Sequence, residues 1–171
     1  IGITVIFTVA NILRSYAFFR AVCTEVAQSY ADVEIDYAYA DAITVHMLKK
    51  PDFYDVIVAE NMFGDIISDL GAATVGGLGM AASAELGLNH GLFQGAHGSA
   101  PDIAGKGIAN PIGQIWCGAM MLEFLGHKEA HDAVLAAIEK VLDPKSGAPK
   151  TPDIGGTANT SDVDRAIAEV L

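Results

Sequence analysis

Positive charge is scarce in this chain: 10 lysines and arginines stand against 21 aspartates and glutamates, a formal net charge of −11. That balance argues against a phosphate backbone or an anionic membrane surface as partner, since both would be repelled. Long apolar runs are missing as well. The opening Ile1-Gly2-Ile3-Thr4-Val5-Ile6-Phe7 is strand-sized and far short of a membrane span. There are only two cysteines, Cys23 and Cys117, both within apolar helical patterns, so buried free thiols are expected rather than a disulfide framework. A reducing cytoplasm or an organelle matrix fits, and of the two a cytoplasmic location is expected. No secretory leader is visible, and a chain opening at Ile1 inside a strand reads as a fragment. Internal repeats, low-complexity segments, the G-x-G-x-x-G fingerprint and the P-loop are all absent.

What remains is the composition of a packed globular protein: 171 residues, 51% hydrophobic, 18% charged, with 18 glycines. Strand and helix patterns alternate, which predicts an α/β architecture. Ile3–Phe7 reads as a strand and Asn11–Tyr30 as a helix, with Leu13, Tyr16, Phe19, Val22, Cys23, Val26 and Tyr30 at helical spacing. Val33–Tyr39 alternates apolar and acidic residues, as a half-exposed strand does. Asp41–Lys50 is a helix stopped by Pro51, with Lys49 and Lys50 a solvated end, and Tyr54–Ala59 is a fully buried strand. A glycine-rich passage from Gly71 to Gly79 suits a crossing between lobes, dividing residues 1–75 from 76–171. Beyond it, Gly91–Gln94 reads as a strand. Asn110 and Pro111 are an N-cap and first-turn proline for a helix to about Leu125, and helices follow over His127–Leu142 and Thr160–Leu171. Trp116, Met120 and Met121 fall at helical spacing and read as core. His46, His90, His127 and His131 lack metal-ligand spacing, so exposed or capping roles are expected.

Two passages carry chemistry. In Glu60-Asn61-Met62-Phe63-Gly64-Asp65-Ile66-Ile67-Ser68-Asp69, Asp65 and Asp69 stand four apart, hence on one helix face directly after a strand. A solvated face is the bland reading of such a pair. The chemical one is a site for a hard divalent cation, Mg²⁺ or Mn²⁺, at the carboxyl end of a strand, where open α/β sheets gather ligands. The second passage, His97 to Asn110, is rich in glycine, which lets backbone approach a ligand closely. Within it Asp102 either caps a tight turn or accepts hydrogen bonds from a ribose 2′-hydroxyl. In the latter role it would repel a 2′-phosphate and so select NAD over NADP.

Together these stretches resemble the β-decarboxylating dehydrogenases: isopropylmalate, isocitrate, homoisocitrate and tartrate dehydrogenases. Glu60-Asn61-x-Phe63-Gly64-Asp65-x-x-Ser68-Asp69 is similar to the family's metal motif, His97 through Pro111 to its cofactor loop, and Pro152-Asp153-Ile154-Gly155-Gly156 to its adenosine-side turn. The resemblance spans nearly the whole chain. It implies the C-terminal half of a two-lobed isopropylmalate/isocitrate dehydrogenase-like fold. Residues 1–75 would form the smaller, dimer-forming lobe with the metal-site residues, and 76–171 the C-terminal part of the nucleotide lobe. Asp65 and Asp69 would bind the metal, with Asp41 reaching it from the partner subunit of a homodimer. His97, Gly98, Ser99, Ala100, Asp102, Ile103, Asn110 and Asp153 would hold the adenosine half of NAD. The implied reaction oxidises a 2-hydroxy di- or tricarboxylic acid, usually with loss of CO₂. The chain departs from the family at Thr8-Val9-Ala10-Asn11, where Val9 occupies the position of the proton-transferring lysine, and Gln94 stands where many members have glutamate. No catalytic residue is therefore identifiable in this half, and a non-catalytic regulatory subunit is the alternative expectation.

Overall fold

The computed structural model describes residues 3–7 as backbone, and 13–171 in full. Val9 and Asn11 lie outside the described residues. The chain divides into two compact units, Ile1–Thr74 and Val75–Leu171.

The first unit alternates β1 (Ile3–Phe7), α1 (Arg14–Ala27), β2 (Glu34–Ala38), α2 (Ala40–Lys49), β3 (Val56–Val58) and α3 (Asn61–Thr74). The strands form a parallel sheet in the order β2-β1-β3, with Val5 opposite Asp36 on one side and Ile57 on the other. Parallel neighbours cannot be joined by a tight turn, so the sequence must spend a helix on each crossover. Ile43 of α2 and Ile67 of α3 form the buried centre, with Met47, Ile57, Ala59 and Phe63 packed around them.

Two expectations need correcting here. The strand predicted over Tyr54–Ala59 shortens to Val56–Val58 and is not fully buried: among the described residues it pairs on one side only, with β1, and Val56 is 53% exposed. The buried thiol expected at Cys23 is not found either, since no residue of α1 is buried. Cys23 on α1 is half-buried, and that partial burial pushes its thiol up from the ordinary range.

In the second unit β4 (Ala82–Leu86) and β5 (Gly91–Gly95) make an antiparallel hairpin, pairing Ser83 with Gln94 and Ala84 with Phe93. Three helices follow: α4 (Ile112–Phe124), α5 (Lys128–Leu142) and α6 (Thr160–Val170). Their shared core is Ile112, Ala137, Ile138, Val141, Val163 and Ile167. Each fully buried branched side chain there stabilises the fold by about 1.5–3 kcal/mol. Strand β4 escaped the sequence reading because Ala-Ser-Ala-Glu-Leu lacks β-branched residues. Its position is set by pairing with β5 and by the close approach of α4. A Cβ on Gly113 would stand 2.9 Å from the Gly79 carbonyl oxygen and 3.0 Å from that of Ala81, so only glycine lets the helix come this near. Cys117 is buried as expected, its Sγ 4.0 Å from the Ser83 carbonyl oxygen. Trp116 and Met121 are instead exposed. Helix α6 begins with a capping box: the Asn159 side chain accepts from the Asp162 amide at 2.9 Å, and the Asp162 carboxylate accepts from the Asn159 amide at 3.3 Å.

Candidate functional site

Helix α3 starts where β3 ends, and the joining residue Glu60 makes that start. Its two carboxylate oxygens accept from the Met62 and Phe63 amides, each at 3.0 Å. This occupies Glu60 as a cap. Partial removal from water, and then the charge and hydrogen bond of Glu60, push the neighbouring Tyr16 phenol up. One turn into α3 come Asp65 and Asp69, both exposed and a helical turn apart. Asp41 lies in the first turn of α2, its Oδ1 accepting from the Ala42 amide at 2.8 Å. Among the described residues no three His, Cys, Asp or Glu side chains gather closely enough to hold a metal within one chain. Asp65 and Asp69 thus present hard oxygens on one open helix face, and among the described residues neither is engaged in an ion pair. That donor set suits a divalent cation whose remaining positions are filled by water, substrate and a further carboxylate.

In the second unit, His97–Ala100, Ile103–Gly105 and Gly107–Asn110 wall a cleft of about 910 Å³, closed on the other side by Leu78, Gly79, Pro152 and Asp153. The volume is that of a site for a nucleotide-sized ligand. Of the residues expected to bind cofactor, His97, Gly98, Ser99, Ala100, Ile103, Asn110 and Asp153 line this cleft together. Asp102 does not: it is exposed in the turn between Ala100 and Ile103, whose ends join through the Ile103 amide and the Ala100 carbonyl at 3.0 Å. Ala100 adopts φ +43°, and among the described residues it is the one non-glycine in the left-handed region, a local strain placed in the cleft wall. His97 Nδ1 lies 2.9 Å from the Gly98 carbonyl oxygen; the carbonyl can only accept, so Nδ1 is the donor of this bond.

One polar node holds the back of the cleft. Asn110, 8% exposed, donates from Nδ2 to the Asp153 carboxylate at 3.0 Å and accepts through Oδ1 from the Ile112 amide at 3.0 Å. Asn110 was expected as the N-cap with Pro111 inside the helix. The helix begins at Ile112 instead, because the Asn110 side chain reaches two residues ahead while its backbone belongs to the loop. Gly79 makes the node feasible: a Cβ there would come within 2.8 Å of both Asn110 Cβ and Asp153 Oδ2. Asp153 rides on a short 3₁₀ turn, Pro152–Ile154, closed by Gly155 at φ +83° and by the Gly156 amide donating to the Thr151 carbonyl at 3.0 Å. Sequence reasoning missed Leu78 and Gly79; the available signal was the glycine-rich passage they end.

The histidines set aside earlier sit elsewhere. His46 Nδ1 is 2.7 Å from the Tyr54 hydroxyl, and His127 precedes α5. His131 departs from the expected exposed or capping role: its side chain is 12% exposed and lies between Asp132, at 2.9 Å, and Glu123, at 3.7 Å. Among the described residues no helix is long and apolar enough to cross a membrane.

Residues 3–167 match the family model described as isocitrate/isopropylmalate dehydrogenase. Over 161 residues the chain is 45% identical to the 3-isopropylmalate/3-methylmalate dehydrogenase of Methanocaldococcus jannaschii, covering 94% of this chain and 47% of that protein. It is 46% identical to the decarboxylating D-malate dehydrogenase of Escherichia coli, covering 85% of this chain and 42% of the relative. Among solved structures, isocitrate dehydrogenase from Methylococcus capsulatus superposes with a TM-score of 0.94 at 40% identity, covering 99% of this chain and 50% of that one. A β-decarboxylating dehydrogenase from Thermococcus kodakarensis gives a TM-score of 0.82 at 42% identity. The chain spans about half the length of the curated relatives it matches.

Proposed function

The chain belongs to the isocitrate/isopropylmalate dehydrogenase family and carries part of its α/β fold, and from that premise we propose that the full-length protein is an NAD- and divalent-metal-dependent dehydrogenase. Its substrate is a 2-hydroxy di- or tricarboxylic acid of the isopropylmalate/isocitrate type, and oxidation is coupled to loss of CO₂. The observation that carries this reading is the cleft in which seven separately expected nucleotide-binding residues converge. Its glycines let backbone approach a sugar and an adenine closely, and its net-acidic host favours a soluble cofactor over a polyanion.

On this reading Asp65 and Asp69 of one subunit and Asp41 of its partner would hold Mg²⁺ or Mn²⁺ in a homodimer. A cation bound there supplies charge stabilisation to the oxygen that becomes anionic as CO₂ departs. The chain's own contribution is orientation: carboxylates fixed on the first turn of α2 and on the second and third turns of α3, and a preformed wall for the adenosine half of the cofactor.

One observation favours a second reading, that of a non-catalytic regulatory subunit. Val9 stands at the lysine position, and a valine cannot accept the hydroxyl proton. The deciding experiment follows NADH formation by the full-length protein with isopropylmalate, isocitrate, homoisocitrate, tartrate and malate. With Val9 native, turnover is expected to be slow, and Val9→Lys should raise kcat by about 10²- to 10⁴-fold with NAD affinity nearly unchanged. Fast turnover by the valine form would show that another group moves the proton. Silence of the lysine form on all five acids would favour the regulatory reading.

A further inference from the structure

The glycine loop that walls the cleft is held to itself on one side only. Its first half closes through the Ile103 amide on the Ala100 carbonyl, 3.0 Å, and the Lys106 amide on the Ile103 carbonyl, 3.1 Å. Its second half turns through Gly105 and Gly107, both at positive φ and both with open space where a Cβ would stand, so little side-chain packing restrains it there. Two carbonyls of that half point to one residue far along the chain. Thr160 donates its backbone N–H to the Gly107 carbonyl at 2.8 Å and its hydroxyl to the Ala109 carbonyl at 2.6 Å. The two bonds bracket Ile108, which lines the cleft.

Thr160 is free to do this because of its place in α6. As the first helical residue it has no intrahelical acceptor for its N–H, and the capping box satisfies the Asn159 and Asp162 amides but leaves that of Thr160 unclaimed. Rigidity comes from behind: Val163 and Ile167 of the same helix are 0% and 4% exposed in the core of the unit.

We propose that Thr160 is a positioning residue for cofactor binding, clamping the Gly107–Ala109 stretch of the cleft wall through its hydroxyl and so supplying the ordering that a bound dinucleotide would otherwise have to impose. This rests on the cleft being the dinucleotide site. Ordering before binding lowers the entropic cost of association, so the effect belongs to affinity rather than to the chemical step.

The test uses the full-length enzyme. Thr160→Val keeps the branched shape and the backbone N–H but removes the hydroxyl, and Thr160→Ser restores it. The valine form should bind NAD about 3- to 10-fold more weakly by titration calorimetry, in line with one net hydrogen bond. KM for NAD should rise in step, with kcat and KM for the hydroxy acid within about twofold. The serine form should recover most of the affinity. Amide exchange at Ile108 and Ala109 in the unliganded valine form should quicken, while the melting temperature stays close to that of the parent. A valine form with parental NAD affinity overturns the assignment of Thr160 and leaves the cofactor reading standing. So does a serine form no better than valine. A parent that binds neither NAD nor NADP overturns the cofactor reading itself, and quickened exchange would then show a clamp with no dinucleotide to serve.

Discussion

Asp102 shows how much one position in a turn can decide. It sits in the loop that forms the cleft, yet its side chain is exposed and is not part of the wall. A carboxylate at the rim still repels a 2′-phosphate at short range, and exposure to water weakens that repulsion. Asp102→Lys should therefore raise NADP affinity relative to NAD, by about 3- to 10-fold rather than by orders of magnitude. Paired titrations with the two cofactors would measure it. An unchanged ratio would reduce Asp102 to its local role in closing the turn. The same scale explains what the residues alone disclosed about the site. Side chains that bind are read from type and spacing, as with Asp65 and Asp69, and as with His97 and its glycines. Gly79 and Thr160 were not legible that way, because each acts through a neighbour brought close only by tertiary structure, 31 residues away for Gly79 and Asn110 and 51 for Thr160 and Ala109.

Among the elements, those with a period were legible and those fixed by packing were not. α5 and α6 were visible as amphipathic repeats, α1 by its apolar helical spacing, and α2 by its stop at Pro51. β4 has no such pattern and becomes a strand because β5 and α4 leave it no other conformation. One-sided pairing could not be read either: Val56-Ile57-Val58 looks the same paired on one side as on both. The contact of the Leu78–Met80 turn with α4 and with the Pro152–Ile154 turn supplies a test at this scale. Gly79→Ala pushes a methyl to within 2.8 Å of both Asn110 and Asp153. Their hydrogen bond must lengthen or the turn must move, so the substitution should cost about 1–3 kcal/mol in unfolding free energy. NAD binding should weaken with it. Denaturant unfolding and calorimetry on the same variant would show both. A stable variant with parental affinity would mean that the node relaxes freely.

For the whole molecule, the three aspartates pose a question that a single chain cannot answer. Among the described residues Asp41, Asp65 and Asp69 do not form one cluster, while the proposed site draws Asp41 from a second subunit. That arrangement has an arithmetic signature. Asp41→Asn and Asp65→Asn homodimers would each have every site damaged. After random subunit exchange half the dimers are mixed, and each mixed dimer carries one intact site and one doubly damaged site. About a quarter of parental sites should thus return on mixing equal amounts of the two inactive proteins. Recovered activity or stoichiometric Mn²⁺ binding would measure it. No recovery, with exchange verified by mass, would place all ligands of the metal in one chain.

The polar node at the back of the cleft also fixes an order of events in the making of the protein. Asn110 meets Asp153 across 43 residues of chain, and Thr160 meets Ala109 across 51. The ribosome delivers the glycine loop well before either partner. Until α5, the Pro152–Ile154 turn and the start of α6 have emerged, the loop has nothing to lean on. The closure entropy of those long segments must be met before the contacts can repay it. The part of the chain that looks most like a finished binding motif on paper is therefore among the last to exist as a shape.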